Sequence, residues 1–303
     1  MNCSVIAKSV MGASHKRTGK PCQDRNSVET KRKKKNQLLF EDGTVIVAIA
    51  DGHGSDSAPY SDVGAGTAVN VFCDVMAQFH DSYAENLNML MTYLNREGEV
   101  KVAQTIDSEW KRRVFNYHTM KKREVQLLEN GEKNKTEVYK QYGATLLGLM
   151  ITSEFLFAFQ LGDGDIAYID DGGAELVIEP EKILGVETHS LSREASWKKA
   201  ITLVRRFEAD ASRPLVFTLT SDGFANSYKD EESFKNTLVD YFGMLKEHGA
   251  QVIEENLESW LAETSEFGCG DDITLLMVYF PLAEKRSSEV HEESEASNDE
   301  GIE

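Results

Sequence analysis

The chain has 303 residues, 41% hydrophobic and 28% charged, the balance of a folded soluble protein rather than a disordered one. Asp and Glu outnumber Lys and Arg by 51 to 33, for a net charge of −18 at pH 7, which excludes a broad cationic face for nucleic acid. Four separated cysteines (Cys3, Cys22, Cys73, Cys269) with no CxxC pair exclude a zinc ribbon and a disulfide scaffold. The opening MNCSVIAKSVMG lacks a signal-peptide core, and no apolar run reaches the ~18 residues of a membrane span. A cytoplasmic protein with no membrane partner is expected.

Cys3–Val10 reads as a strand, followed by a turn-rich stretch around Gly12, Ser14, Gly19 and Pro21 and a second short strand near Asn26–Thr30. The run Lys31–Lys35 reads as a solvated hairpin tip or a basic docking patch. Val45–Ala50 (VIVAIA) is a buried strand that stops at Asp51-Gly52-His53-Gly54. The period then becomes helical, with apolar residues three and four apart at Val69, Phe72, Met76 and Phe79, at Leu87, Leu90, Met91 and Leu94, and at Val102, Ile106, Trp110 and Val114. Residues 121–140 are polar and read as a surface extension.

Four short apolar runs follow, Ala144–Ile151, Phe155–Leu161, Ile166–Ile169 and Ala174–Ile178, separated by tight turn signals. Such close spacing predicts an antiparallel meander, since parallel pairing needs long crossovers. Residues 179–213 suggest a flap that ends in a strand near Ile201–Val204. Its cations, among them Arg193, Lys198 and Lys199, read either as ordinary charged surface or as an attractor for an anionic substrate. Leu215–Thr220 is a strand ending at Ser221-Asp222-Gly223, two helical patterns run from Phe234 to Leu245 and from Ile253 to Leu261, and Ile273–Phe280 closes the domain. Residues 1–281 form one expected domain. Residues 282–303, acidic and nearly devoid of apolar side chains, are expected to be a disordered tail.

Asp51, Asp163, Asp222 and Asp271 each lie within two residues of a strongly apolar strand. Any one Asp-Gly reads equally well as a turn. Four at strand ends can share one sheet edge, and four carboxylates gathered there repel unless a cation neutralises them. All-oxygen ligands suit Mg²⁺ or Mn²⁺. His53, two residues beyond Asp51, is either structural or a proton donor beside the site.

The segments Asp51-Gly52-His53-Gly54, Tyr142-Gly143-Ala144-Thr145, Leu161-Gly162-Asp163-Gly164-Asp165, Thr220-Ser221-Asp222-Gly223 and Gly270-Asp271-Asp272-Ile273-Thr274 occur in that order. Together they resemble the motifs of the metal-dependent Ser/Thr phosphatases of the protein phosphatase 2C family. The opening Gly12-Ala13-Ser14-His15 … Gly19-Lys20-Pro21-Cys22-Gln23-Asp24 resembles a bacterial-type branch. The resemblance implies an α+β fold, a β-sandwich of two antiparallel sheets flanked by helices in four layers. It implies two Mn²⁺ or Mg²⁺ ions and a weaker third. Asp51 would bridge two metals, the Gly52 carbonyl, Asp222 and Asp271 would complete their shells, and Asp163 would help hold the third ion. Asp24 would act through water, and Asp272, where the family often has Asn, would support the site. A metal-bridging hydroxide would attack phosphoserine or phosphothreonine, with His53 protonating the leaving oxygen. The implied partners are a phosphorylated protein and a cognate Ser/Thr kinase, with the enzyme a monomer.

Two positions depart from the family pattern. Gly19 stands where many members place a phosphate-clamping Arg, leaving Lys16, Arg17 or Lys20 as electrostatic substitutes without its planar fork. Gln23 stands where a Glu is usual. The missing clamp Arg supports an alternative, a catalytically silent phosphatase-like scaffold that binds phosphoproteins or partners. A nucleotide enzyme is excluded by the absence of GxxxxGK[ST] and of a strand–GxGxxG–helix unit.

Overall fold

The computed structural model describes residues 3–30, 38–179, 189–206 and 215–281. The Lys31–Lys35 run, the acidic tail and two parts of the expected flap lie outside the described residues. Ten strands among these residues form two antiparallel sheets. One has the spatial order β1 (Ser4–Val10), β10 (Ile273–Phe280), β9 (Leu215–Thr220), β6 (Asp165–Asp170), β7 (Gly173–Ile178). The other has the order β2 (Arg25–Asn26), β3 (Val45–Ala50), β4 (Leu146–Ile151), β5 (Phe155–Leu161), β8 (Ile201–Arg206).

The unbroken apolar runs are explained by cover on both faces. Val45, Val47 and Ile49 of β3 pack between the sheets against residues such as Leu149, Leu276 and Val278. The alternate side chains, Ile46, Ala48 and Ala50, face α2 (Ser61–Tyr83), α3 (Leu87–Glu97) and α4 (Ala103–Met120). On the far side Leu275, Met277 and Tyr279 of β10 face α7 (Glu231–Phe267), which breaks at Gly249 (φ 79°) between the two helical patterns seen in the sequence. The result is a four-layer sandwich, helix–sheet–sheet–helix.

Three details differ from the sequence expectation. The first is a helix, α1 (Ala13–Thr18), in place of the turn-rich stretch. Distant groups hold it: Ala13 N–H donates to Ser265 Oγ (3.0 Å), and Ser14 donates to the Gly270 carbonyl through N–H (2.9 Å) and Oγ (2.6 Å). Tertiary bonds supply what so short a segment cannot supply alone. The second is the length of β2, two residues rather than five. The third is the meander, which is split, with the β4–β5 hairpin in one sheet and the β6–β7 hairpin in the other. Gly162, at φ 124°, adopts a backbone conformation closed to residues with a Cβ, and there the chain steps from one sheet to the other. The polar extension carries a bridge between Leu127 and Lys133 and a short helix, α5 (Lys135–Lys140).

Candidate active site

The ladder registers bring the aspartate-bearing strand ends to one edge. Asp51 follows β3, and its N–H donates to Thr145 Oγ1 (2.9 Å) while its carbonyl accepts from Thr145 N–H (2.8 Å). His53 N–H then donates to the Gly143 carbonyl (3.0 Å), so the Asp51–His53 turn lies along the start of β4. In the other sheet Ser221 N–H donates to Thr274 O (3.1 Å) and Ser221 Oγ accepts from Thr274 N–H (2.8 Å). This pairing sets Asp222, at the start of the single-turn helix α6 (Asp222–Ala225), beside Asp271. The approach requires Gly223, where a Cβ would fall 2.1 Å from the Asp272 carbonyl oxygen. A cavity of about 130 Å³ opens at this edge, lined by His15, Asp51, Gly52, His53, Gly54, Thr145, Asp163, Asp222, Asp271 and Asp272.

The carboxylates are mutually destabilised in the metal-free chain. Burial, then the neighbouring charges of Asp24 and Asp222, push Asp51 well above the usual carboxylate range. Burial and the charge of Asp163 raise Asp222 to about 6, and burial and the charge of Asp272 raise Asp24 to about 7. Asp24 is fully buried, and its Oδ1 has no well-formed hydrogen bond although Oδ2 accepts from Thr274 Oγ1 (2.8 Å). Burial lowers His53, against the opposing charge of Asp163, and the charge of Arg193 reaches it from the flap and lowers it further.

Among the described residues no three His, Cys, Asp or Glu side chains already stand in coordinating geometry about one point. The donor set nevertheless fits a hard divalent cation: it is all oxygen, buried, and held together against its own repulsion. These carboxyls bind protons more tightly folded than unfolded, so the free energy of unfolding falls as pH rises from about 4 to about 7. Thermal melting in chelator is expected to show their contribution as a falling Tm over that range. Added Mn²⁺ should restore more at pH 7 than at pH 4, and an equal Mn²⁺ effect at both values would contradict the reading.

Eight of the eleven residues singled out in the sequence thus sit in or against this cavity: Asp51, Gly52, His53, Asp163, Asp222, Asp271 and Asp272 in its lining, and Asp24 behind Asp51. Lys20 reaches the rim, donating from Nζ to the Gly54 carbonyl (2.7 Å). Lys16 and Arg17 are exposed on α1 and do not line the cavity. The pattern of residues did not reveal His15 as a site residue. It lines the cavity with Nδ1 2.9 Å from Asp272 Oδ1 and its other ring nitrogen beside Gly54. Asp272 also accepts from the backbone N–H of Gly12 and of Gln23, each at 2.6 Å, and so ties the loops on both sides of α1 to the start of β10. The only sequence signal for His15 was its place in the Gly12–Asp24 motif.

The family model described as protein phosphatase 2C matches residues 11–262. The chain belongs to the protein phosphatase 2C family. A serine/threonine phosphatase from S. agalactiae shares the fold of this family member at 15% identity and TM-score 0.53, over 92% of this chain and 99% of that one. PppA of Pseudomonas aeruginosa, described as a regulatory component of its T6SS, does so at 16% identity and TM-score 0.50, over 92% and 97%. A C. elegans sex-determining protein is similar at 12% identity and TM-score 0.52, over 92% of this chain and 65% of that one. No curated protein matches this phosphatase 2C chain in sequence. Among its described residues no helix is long and apolar enough to cross a membrane.

Proposed function

We propose that this protein phosphatase 2C member is an active cytoplasmic Ser/Thr phosphoprotein phosphatase dependent on Mn²⁺ or Mg²⁺, acting opposite a Ser/Thr kinase. The observation that carries the reading is the convergence of Asp51, Asp163, Asp222 and Asp271 with His53 on one cavity. Asp51, the Gly52 carbonyl, Asp222 and Asp271 would hold two cations, and Asp163 with Asp222 a third. When bound, the cations supply Lewis-acid charge that lowers the pKa of a water and offsets the charge of the phosphate. His15, oriented by Asp272, and Lys20, anchored on Gly54, stand where they can steady the phosphoryl oxygens in place of the Arg absent at Gly19. His53 donates a proton to the Ser or Thr oxygen as the P–O bond breaks, and water supplies the new P–O bond. The products are inorganic phosphate and the free hydroxyl, with no covalent enzyme intermediate. Residues 1–281 would carry this activity, with the acidic residues beyond as an appendage.

The test is turnover of p-nitrophenyl phosphate and of a phosphoserine peptide by the purified chain with Mn²⁺, Mg²⁺ or chelator. Turnover that requires the cation and disappears with chelator is expected. A folded chain inactive towards both substrates at saturating Mn²⁺ would instead be a phosphoprotein-binding scaffold.

A further inference from the structure

A second pocket lies immediately behind the His53 turn. It has a volume of about 550 Å³ and is lined by Ser57, Tyr60, His118, Arg123, Lys140 and Gln141 among others. His53 N–H bonds the Gly143 carbonyl (3.0 Å), and Tyr60 N–H bonds the Gln141 carbonyl (2.9 Å), so Gln141 of the second pocket lies two residues, at most about 7 Å, from the residue that holds the His53 turn.

Arg123 is held in this pocket by a defined relay. The Glu124 carbonyl can only accept, so His118 Nε2 carries the proton donated to it (3.0 Å), and in the neutral ring Nδ1 is then the acceptor. The Tyr142 hydroxyl donates to that Nδ1 (3.2 Å) and in turn accepts from Arg123 Nη1. His118 and Tyr142 are buried, and the Arg123 guanidinium carbon sits over the Tyr60 ring, 3.4 Å from its centroid. Arg25, Arg96, Arg112 and Arg113 each pair with a carboxylate. Arg123 pairs with none among the described residues, although the chain carries 51 acidic side chains. Of the two carboxylates in the lining, Glu137 is taken by Lys140 (2.6 Å), and Glu124 is exposed without an ion pair to Arg123. Only one of five guanidinium N–H donors is therefore used within the described residues, and the planar fork is pre-oriented for an oxyanion. The end of α4 and the extension that follows expose Met120 (68%), Leu127 (65%) and Leu128 (44%), apolar area on the segments that flank Arg123 in the chain.

We infer that this pocket is a second recognition site for the phosphoprotein substrate, in which Arg123 binds an anionic side chain, phosphorylated or carboxylate, two to four residues from the phosphoresidue being hydrolysed. The inference rests on the phosphatase reading and deepens it, since it makes the enzyme selective for clustered phosphosites or acidic flanks.

The test uses the full chain with Mn²⁺ and four peptides: one with a single phosphoserine, and three in which a position two to four residues away is phosphoserine, Asp or Lys. A KM about tenfold lower for the phosphoserine or Asp peptide than for the single-site peptide is expected. Arg123→Gln should remove that preference, read as a ratio to p-nitrophenyl phosphate, which has no group to reach the pocket. Arg123→Lys should keep only part of it. A gain with phosphoserine alone assigns the site to a dianion, and a gain with both assigns it to either anion. Equal KM values across the peptides, a gain with Lys, or a preference that survives Arg123→Gln would overturn the inference. Fluorescence anisotropy with the same peptides reads the same ratio without turnover, so failure of catalysis and failure of this site are distinguished.

Discussion

Asp51→Asn should lower turnover of p-nitrophenyl phosphate by at least about 10³-fold at saturating Mn²⁺, a loss of roughly 4 kcal/mol in transition-state stabilisation. The carboxylate stands between Asp24 and Asp222 at the mouth of the cavity, and an amide of the same shape offers a cation half the oxygen donors and no charge. The same variant should not be destabilised without metal. Because burial and two neighbouring carboxylates hold Asp51 well above the usual range, its ionised form opposes folding at pH 7, and a neutral Asn removes that opposition. The metal-free Tm of the variant is therefore expected at or above that of the parent chain, while the rise in Tm produced by Mn²⁺ should shrink or vanish. The paired measurement separates a ligand from a structural residue. Retained turnover, or a metal-free chain that melts several degrees lower, would remove Asp51 from the proposed site.

Asp272 is expected to behave in the opposite way. Asp272 is 3% exposed, its carboxylate accepts from Gly12 N–H and from Gln23 N–H, and His15 Nδ1 lies 2.9 Å from its Oδ1. Asp272→Ala leaves those buried donors without an acceptor, at a cost of about 3–5 kcal/mol, or a fall in Tm of roughly 10 °C. Asp272→Asn should lie between, because its Oδ1 can still accept from Gly12 while its amide nitrogen faces the Gln23 N–H. Melting in excess chelator keeps the result independent of the metal. A loss below about 1 kcal/mol in the Ala variant would show that β10 does not anchor α1 through this side chain.

These two residues, adjacent to or paired with the same motifs, illustrate how far the primary structure could be read. The aspartates at strand ends were legible because Asp-Gly punctuates a buried apolar run, and a run that stops at a carboxylate marks where the chain leaves the core. The antiparallel strands and the helical block between Ser61 and Met120 were legible likewise: short unbroken apolar runs bounded by turn signals mark the strands, and a period of 3.6 marks the helices. His15 was not. Apart from its place in the Gly12–Asp24 motif, nothing in its neighbourhood distinguishes it from a solvent-facing histidine until Asp272, far away in the chain, is brought against it. The relay from Arg123 through Tyr142 to His118 was hidden likewise, since the polar stretch that contains Arg123 has the composition of ordinary surface.

By itself the order of residues determined the long helices and the apolar strands, and which carboxylates stand at the ends of those strands. Folding alone decided that β4–β5 and β6–β7 belong to different sheets, that Ala13–Thr18 is helical, and that Lys20 rather than Lys16 or Arg17 reaches the rim. The physical reason is that apolar burial is non-directional and records only that a side chain leaves water. Its partners across the chain are chosen by hydrogen bonds such as Ala13 to Ser265, 252 residues apart, which no local pattern encodes.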